Sequence, residues 1–161
     1  EFRPERFLQM IQSRNLSPSL LENLHVSRVT DTQKQIEVLK SFEKDSFSLL
    51  IIDNIVDLFS FEYSKKEHLI EKNINFGNYM INLSKLALSK NIPIIITNQI
   101  LSHDDKSYER MHTQLENYIH QKIQLEKIKN EYTCKISSPF IHDIKFYYKI
   151  TNSGIEETES I

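Results

Sequence analysis

The sequence has no tryptophan, one cysteine and two glycines in 161 residues, and each shortage removes a class of chemistry. With glycine only at Gly77 and Gly154, neither G-x-x-x-x-G-K-[ST] nor G-x-G-x-x-G can be written. These residues therefore contain no glycine loop that cradles phosphate through backbone N–H groups. Cys134 has no partner for an internal disulfide, and its apolar, strand-like surroundings suit a buried structural thiol better than a reactive one. The six histidines fall in no H-E-x-x-H pattern and have no C-x-x-C beside them, which argues against a zinc site. No G-x-S-x-G elbow accompanies the serines, so a Ser/His/Asp triad has no sequence signature.

An excess of charge of one sign is also lacking. The 20 Lys and Arg residues against 22 Asp and Glu give a net charge of -2, so any contact with nucleic acid must come from a local cluster. No apolar run approaches the roughly 20 residues that span a bilayer. The start, EFRPERF, has neither a signal-like apolar block nor an initiator Met, which fits a soluble intracellular protein read from inside a longer chain. A content of 39% hydrophobic and 26% charged residues is ordinary for one globular domain.

Hydrophobic spacing then sets the order of elements. Pro4, Glu5 and Arg6 followed by Phe7, Leu8, Met10 and Ile11 predict a helix opened by proline, and a second short helix follows Ser17-Pro18. Residues 24 to 29 alternate apolar and polar as a half-buried strand does. Thr30 or Asp31 can cap a helix whose apolar face is Ile36, Leu39 and Phe42. The run from Phe47 to Asp53 is almost continuously apolar and ends in a carboxylate, the pattern of a strand buried on both faces of a parallel sheet. Apolar residues from Leu69 to Ala87 recur at helical spacing, and Ile92 to Ile96 is a second buried strand ending at Thr97-Asn98-Gln99. Strand, long helix and strand make a βαβ unit. Ile51 and Ile95 are expected in neighbouring parallel strands, with Asp53 and Gln99 at the same end. Beyond residue 100, Ser102 to Ser107 reads as a loop. Strands are expected near 120–127, 131–136 and 144–150, the first two antiparallel at the edge of a mixed sheet, with Asn152-Ser153-Gly154 as a turn. The domain is drawn as 1–155, with 156–161 as an acidic tail.

Three groups of residues can carry chemistry. Asp53, at the carboxyl end of a buried parallel strand, sits where open α/β sheets bind ligands, and in a nucleotide-binding sheet such an aspartate holds magnesium. The plainer alternative is an aspartate accepting backbone hydrogen bonds at a strand end. Thr97, Asn98 and Gln99 emerge at the same sheet edge, where a carboxamide can sense a γ-phosphate; simple strand termination gives the same residues. Lys65, Lys66 and Lys72, with Tyr63 and Phe61 just before them, are the one segment where basic and aromatic groups interleave after a strand. It can grip a nucleic-acid backbone while a ring stacks on a base, or it can be the solvated start of a helix.

Together these pieces resemble the RecA-type recombinases of archaea and eukaryotes. Phe2-Arg3-Pro4-Glu5-Arg6-Phe7 looks like the FRPER segment that follows the family's second core strand. Leu49-Leu50-Ile51-Ile52-Asp53 looks like its Walker B strand, and Ile94-Ile95-Ile96-Thr97-Asn98-Gln99 like its ITNQ strand. Leu58-Phe59 through Glu62-Tyr63-Ser64 to Leu86-Ala87 follows the family pattern without a gap. Cys134-Lys135-Ile136, Ser138-Pro139, Tyr148-Lys149-Ile150-Thr151 and Gly154-Ile155 are similar to its closing strands. Leu115-Glu116-Asn117-Tyr118 and Leu125-Glu126-Lys127 look more like the archaeal RadB branch. Two departures stand out: Ser102 to Gln114 lacks the Gly-Gly element of the second DNA loop, and Asn117 stands where a histidine is common.

The resemblance implies a RecA-like P-loop ATPase core of α/β class, mostly parallel with antiparallel strands at the C-terminal edge and with the Walker A front missing. It implies ATP and Mg2+ as cofactors, Asp53 as the metal-site carboxylate, Thr97 and Asn98 beside the nucleotide, and Gln99 as the catalytic sensor. It further implies Lys65, Lys66, Lys72 and Tyr63 on a DNA-facing loop, with single-stranded DNA and a recombinase partner or self-association as partners. Glu1 stands nearest the family's water-activating acid, but its spacing from Phe2 is short and it receives no role. The rival reading is a non-catalytic paralogue acting as a protein-interaction module; a more distant one is a RecA-fold ATPase with no DNA role. These 161 residues by themselves are expected to show no magnesium-dependent ATP hydrolysis, because Asp53 and Gln99 supply neither a phosphate cradle nor a lysine. Steady-state phosphate release measures this, and turnover that Asp53→Ala abolishes would overturn it.

Overall fold

The computed structural model describes residues 2–42, 44, 46–103, 106–129, 131–139 and 141–158. In chain order its elements are α1 (Pro4–Ser13), α2 (Thr32–Phe42), β1 (Leu50–Ile52), α3 (Asp57–Glu62), α4 (Leu69–Lys90), β2 (Ile94–Ile96), β3 (Ile100–His103), β4 (Lys106–Glu109), α5 (His112–Glu116), β5 (Lys122–Ile128), β6 (Glu131–Ser138), β7 (Ile141–Thr151) and β8 (Gly154–Thr158). Two compact units result, one formed by residues 28–119 and the other by 1–27 with 120–161.

In the unit of residues 28–119, β1 and β2 pair in parallel with Leu50 opposite Ile94, Ile51 opposite Ile95 and Ile52 opposite Ile96, as the βαβ pattern predicts. The alternation of strand side chains sends Leu50, Ile52, Ile94 and Ile96 into the core and Ile51 and Ile95 away from it. Ile51 is 59% and Ile95 50% exposed, which corrects the expectation of burial on both faces. An unbroken apolar run carries no information about whether a second layer is present; among the described residues of this unit the helices cover one face.

That covering layer is built around Phe59 of α3. Its ring meets Phe76 edge-on at 5.2 Å and packs against Tyr79 at 5.7 Å. Helix α4 presents Phe76, Tyr79, Met80, Leu83 and Leu86 as one buried stripe, while Ile70 and Leu88 face solvent. The helix ends at Asn91 in left-handed conformation, whose N–H closes the last turn on Leu88, with Pro93 shortly after as the stop. Helix α2 begins where expected. Asp31 accepts from the Lys34 N–H at 2.8 Å, and Glu62 at the far end of α3 accepts from the N–H and hydroxyl of Thr32. Two carboxylates thus satisfy two of the orphan donors of that N-terminus.

Two expectations fail. Residues 24 to 29 form no strand, and Val26 is 59% exposed; the alternation is there, but no described strand pairs with it. The segment read as a loop is instead the β3–β4 hairpin, with Ile100 opposite Glu109 and Leu101 opposite Tyr108; Asp104 and Asp105 lie outside the described residues.

The other unit holds the antiparallel sheet β5-β6-β7-β8. β5, β6 and β7 fall where the sequence places strands, the first two antiparallel as expected, and β8, which the sequence does not show, adds a fourth to the sheet. Its register puts Ile123, Leu125, Cys134, Ile136, Ile144, Phe146, Tyr148 and Ile150 on one face. Cys134 and Tyr148 are buried there, and burial pushes the thiol pKa up, as suits a structural cysteine. Residues 156–158, read as the start of an acidic tail, are the outer part of β8; residues 159–161 lie outside the described residues, as does Glu1. The β7–β8 turn needs glycine at position 154, where φ is +119°. Arginines of α1 and its C-cap fasten that turn: Arg6 donates to the carbonyls of Thr151 and Asn152, and Arg14 to that of Ser153.

Glu156 locks the same turn. Its carboxylate accepts from the hydroxyls of Ser153 and Thr151 and pairs with Lys149 at 3.3 Å. These hydrogen bonds, Ser153 first, lower its pKa from 4.5 to about 2. A folded pKa below the unfolded one means stabilisation that is full above the unfolded value and is lost as pH falls toward the folded one. Glu156→Gln is therefore expected to be less stable than the wild type at neutral pH, with the difference shrinking between about 4.5 and about 2. Denaturant melts across that range check it; a difference independent of pH would contradict it.

Candidate nucleotide and nucleic-acid site

The parallel pairing of β1 and β2 brings their carboxyl ends side by side. The Thr97 N–H donates to the Ile52 carbonyl and the Ile55 N–H to the Thr97 carbonyl, both at 3.0 Å, which carries the ladder one step beyond β2. The Thr97 hydroxyl then does two jobs. It donates to Asp53 Oδ1 at 2.7 Å and accepts from the Asn54 N–H at 2.8 Å. Asn54 has φ +60°, a left-handed conformation that asparagine tolerates better than most residues. The hydroxyl thereby fixes both the carboxylate and the turn that leads into α3. Asp53 and Thr97 are exposed, so a ligand can reach the carboxylate.

The next two residues part company. Asn98 is half-buried, and its Nδ2 donates to the Arg110 carbonyl at 2.8 Å and toward Glu109 Oε1 at 3.4 Å. Both partners are acceptors, which fixes the amide orientation and leaves the buried Oδ1 without a hydrogen-bond partner among the described residues. Asn98 thus braces the base of the β3–β4 hairpin rather than facing Asp53. Gln99 is exposed at the junction of β2 with that hairpin.

The lysine segment divides as well. Lys65 and Lys66 are exposed, Lys65 lying 3.8 Å from Glu67, and Lys66 opens the short 3-10 turn Lys66–His68. Lys72, one turn into α4, is half-buried and donates to Ser60 Oγ at 3.3 Å. Burial first and the nearby Arg110 second lower its pKa. Tyr63 turns inward: its ring stacks on Phe59 at 6.4 Å and its hydroxyl accepts from Asn75 Nδ2 at 2.8 Å. Phe61, by contrast, is 80% exposed.

Sequence reasoning missed Arg110 and Asp57, joined at 3.1 Å between the residue after β4 and the first turn of α3. No spacing signal links positions so far apart. Among the described residues no group of three or more His, Cys, Asp or Glu could hold a metal by itself, and no helix is long and apolar enough to cross a membrane.

A carboxylate and a hydroxyl thus meet at adjoining carboxyl ends of parallel strands, the edge at which open α/β sheets in general bind ligands. Comparison with known proteins gives the family: a Rad51 family model matches residues 1–158, and the chain belongs to the Rad51 family within the RecA-type recombinases. It is 27% identical to the DNA repair and recombination protein RadA of Metallosphaera sedula over 98% of this chain and 53% of that protein. It is 25% identical to RadA of Methanococcus voltae over 97% of this chain and 52% of that protein. Its identity to the meiotic recombination protein DLH1 of Candida albicans is 29%, over 63% of this chain and 33% of that protein. The chain thus spans about half the length of the RadA proteins it matches.

Thr97→Val keeps the shape but removes one hydrogen bond to a carboxylate and one to a backbone N–H. It is expected to destabilise the unit by about 1–2 kcal/mol, with Thr97→Ser close to wild type. Equilibrium unfolding checks this, and a Val variant as stable as the Ser variant would show that the hydroxyl holds nothing.

Proposed function

We propose that the chain is the later part of a RecA-like ATPase core that acts in DNA repair and homologous recombination. In this reading ATP and Mg2+ bind at the carboxyl ends of β1 and β2, and DNA binds through the segments that follow. The observation that carries it is the hydrogen bond from Thr97 to Asp53 at that shared strand edge, in a chain of the Rad51 family. Placement in the RadB branch rests on Leu115–Tyr118 and Leu125–Lys127.

The donor set fits half of such a site. Magnesium takes one or two carboxylates and shares the rest of its shell with water and phosphates, which suits an exposed Asp53 steadied by Thr97. The cradle is not furnished here, since Gly77 lies within α4 and Gly154 in the β7–β8 turn. Bound magnesium would neutralise charge developing on the transferred phosphoryl group. Gln99, at the root of the β3–β4 hairpin, is the proposed catalytic sensor, and Asn98 ties the end of β2 to the residue that follows β4. On the DNA side Lys65 and Lys66 supply exposed charge and Lys72 a charge nearer the protein. Tyr63 serves as the inner ring, and Phe61 is the ring open to an unpaired base.

A second reading, a recombinase paralogue that binds a protein partner, is favoured by one observation. Ile123, Leu125, Ile144, Ile150 and Ile155 are each about half exposed or more at the margins of the β5–β8 face whose centre, Cys134 and Tyr148, is buried, and grouped exposed apolar side chains of that kind suit a protein partner.

The two readings separate in a salt titration of the complete protein with ATP and magnesium. Lys65→Ala/Lys66→Ala/Lys72→Ala should weaken single-stranded DNA binding and flatten the log-log salt dependence by roughly 0.7 per lost contact, about 2 in all, without changing sequence preference. An unchanged slope and affinity, with the fold intact by circular dichroism, would favour the interaction module.

A further inference from the structure

Helix α3 gathers two cations on one face. Asp57 and Ser60 are three residues apart and so lie on the same side of the helix. Arg110 reaches Asp57 at 3.1 Å, and Lys72 reaches Ser60 at 3.3 Å. Arg110 is only 31% exposed and Lys72 is half-buried. Among the described residues no carboxylate lies within 4.0 Å of the Lys72 ammonium. Asp57 thus pairs with Arg110 while the Lys72 ammonium is held by a hydroxyl, and that partly desolvated ammonium attracts an anion more strongly than a fully solvated lysine does.

The arginine is also held in place from behind. Its carbonyl accepts from Asn98 at 2.8 Å, which fixes its backbone to the residue after Thr97. Among the described residues its side chain is bound by one ion pair, to a 55% exposed aspartate, and such a pair is weak. A guanidinium offers a phosphate two parallel donors, a better match than a single carboxylate oxygen.

We propose that Arg110 and Lys72 form a phosphate-binding pair for the backbone of single-stranded DNA, with Asp57 occupying Arg110 until a phosphate displaces it. This rests on the DNA-binding reading above. Asp57 is then a built-in competitor that weakens binding, and its removal strengthens binding only while Arg110 is present.

The test measures binding of a labelled oligodeoxythymidylate to the complete protein at several salt concentrations. Asp57→Asn should tighten binding about 2- to 5-fold, the worth of an exposed ion pair, whereas Glu22→Gln, which removes the same charge from an exposed site elsewhere, should not. Arg110→Ala should weaken binding about tenfold, and Asp57→Asn should add nothing to Arg110→Ala. A gain from Asp57→Asn that persists without Arg110, or that Glu22→Gln reproduces, would reduce the effect to net charge and overturn the proposal. Binding that needs Lys65 and Lys66 but ignores Asp57, Arg110 and Lys72 would sink this inference and leave the DNA reading standing. No binding by any form of the protein would remove both.

Discussion

Parallel strands cannot be joined by a tight turn, and that constraint organises the unit of residues 28–119. β1 and β2 share only three residue pairs, too few to hold a ladder by hydrogen bonding alone. Their alignment depends on the crossover between them, α3 and α4, whose buried stripe grips the inward isoleucines and leucine around Phe59. Once the helices are seated the register is set, because a slip of one residue would exchange Ile51 and Ile95 for the side chains now in the core. The meeting of Asp53 and Thr97 is a consequence of that packing. Exposed polar chemistry at the strand ends is thus positioned by apolar burial beneath it.

The sequence made the periodic parts of the fold legible and left their surroundings obscure. The 22-residue α4 declares itself by its stripe, and the strand runs by their composition and by the polar residues that end them. One-sided burial of β1 and β2 could not be read, since the same isoleucines suit either arrangement. Alternation misled at residues 24 to 29 because it reports a half-buried pattern without guaranteeing a partner strand. The β3–β4 hairpin was hidden by polarity: a hairpin edge needs backbone donors and acceptors, not apolar side chains, and its residues read as loop.

Within the site, residues adjacent in sequence were foreseeable as a group but not in their separate roles. Thr97, Asn98 and Gln99 leave the same strand, yet alternation turns the hydroxyl of the first to Asp53 and the carboxamide of the second to the hairpin base. Tyr63 looked like an exposed partner for the lysines, but α3 continues the core as far as that residue and takes its ring. Phe61, two residues earlier on the other side of the helix, is left outside.

The different settings of the lysines follow from helix geometry in the same way. Lys72 stands four residues before Phe76, in line with the buried stripe of α4 and one turn short of it. A lysine there lays its methylenes along apolar surface and carries its ammonium to the rim, which in this unit is the side of α3 bearing Ser60. Lys65 and Lys66 precede the helix and stay exposed. In the proposed DNA contact, the outer two therefore act at a distance, raising the encounter rate in a manner that salt screens. The inner lysine and Arg110 act at contact, where partial burial protects the interaction from screening. Affinity at high salt should then depend on a part of the surface that composition, with its net charge of -2, gives no hint of.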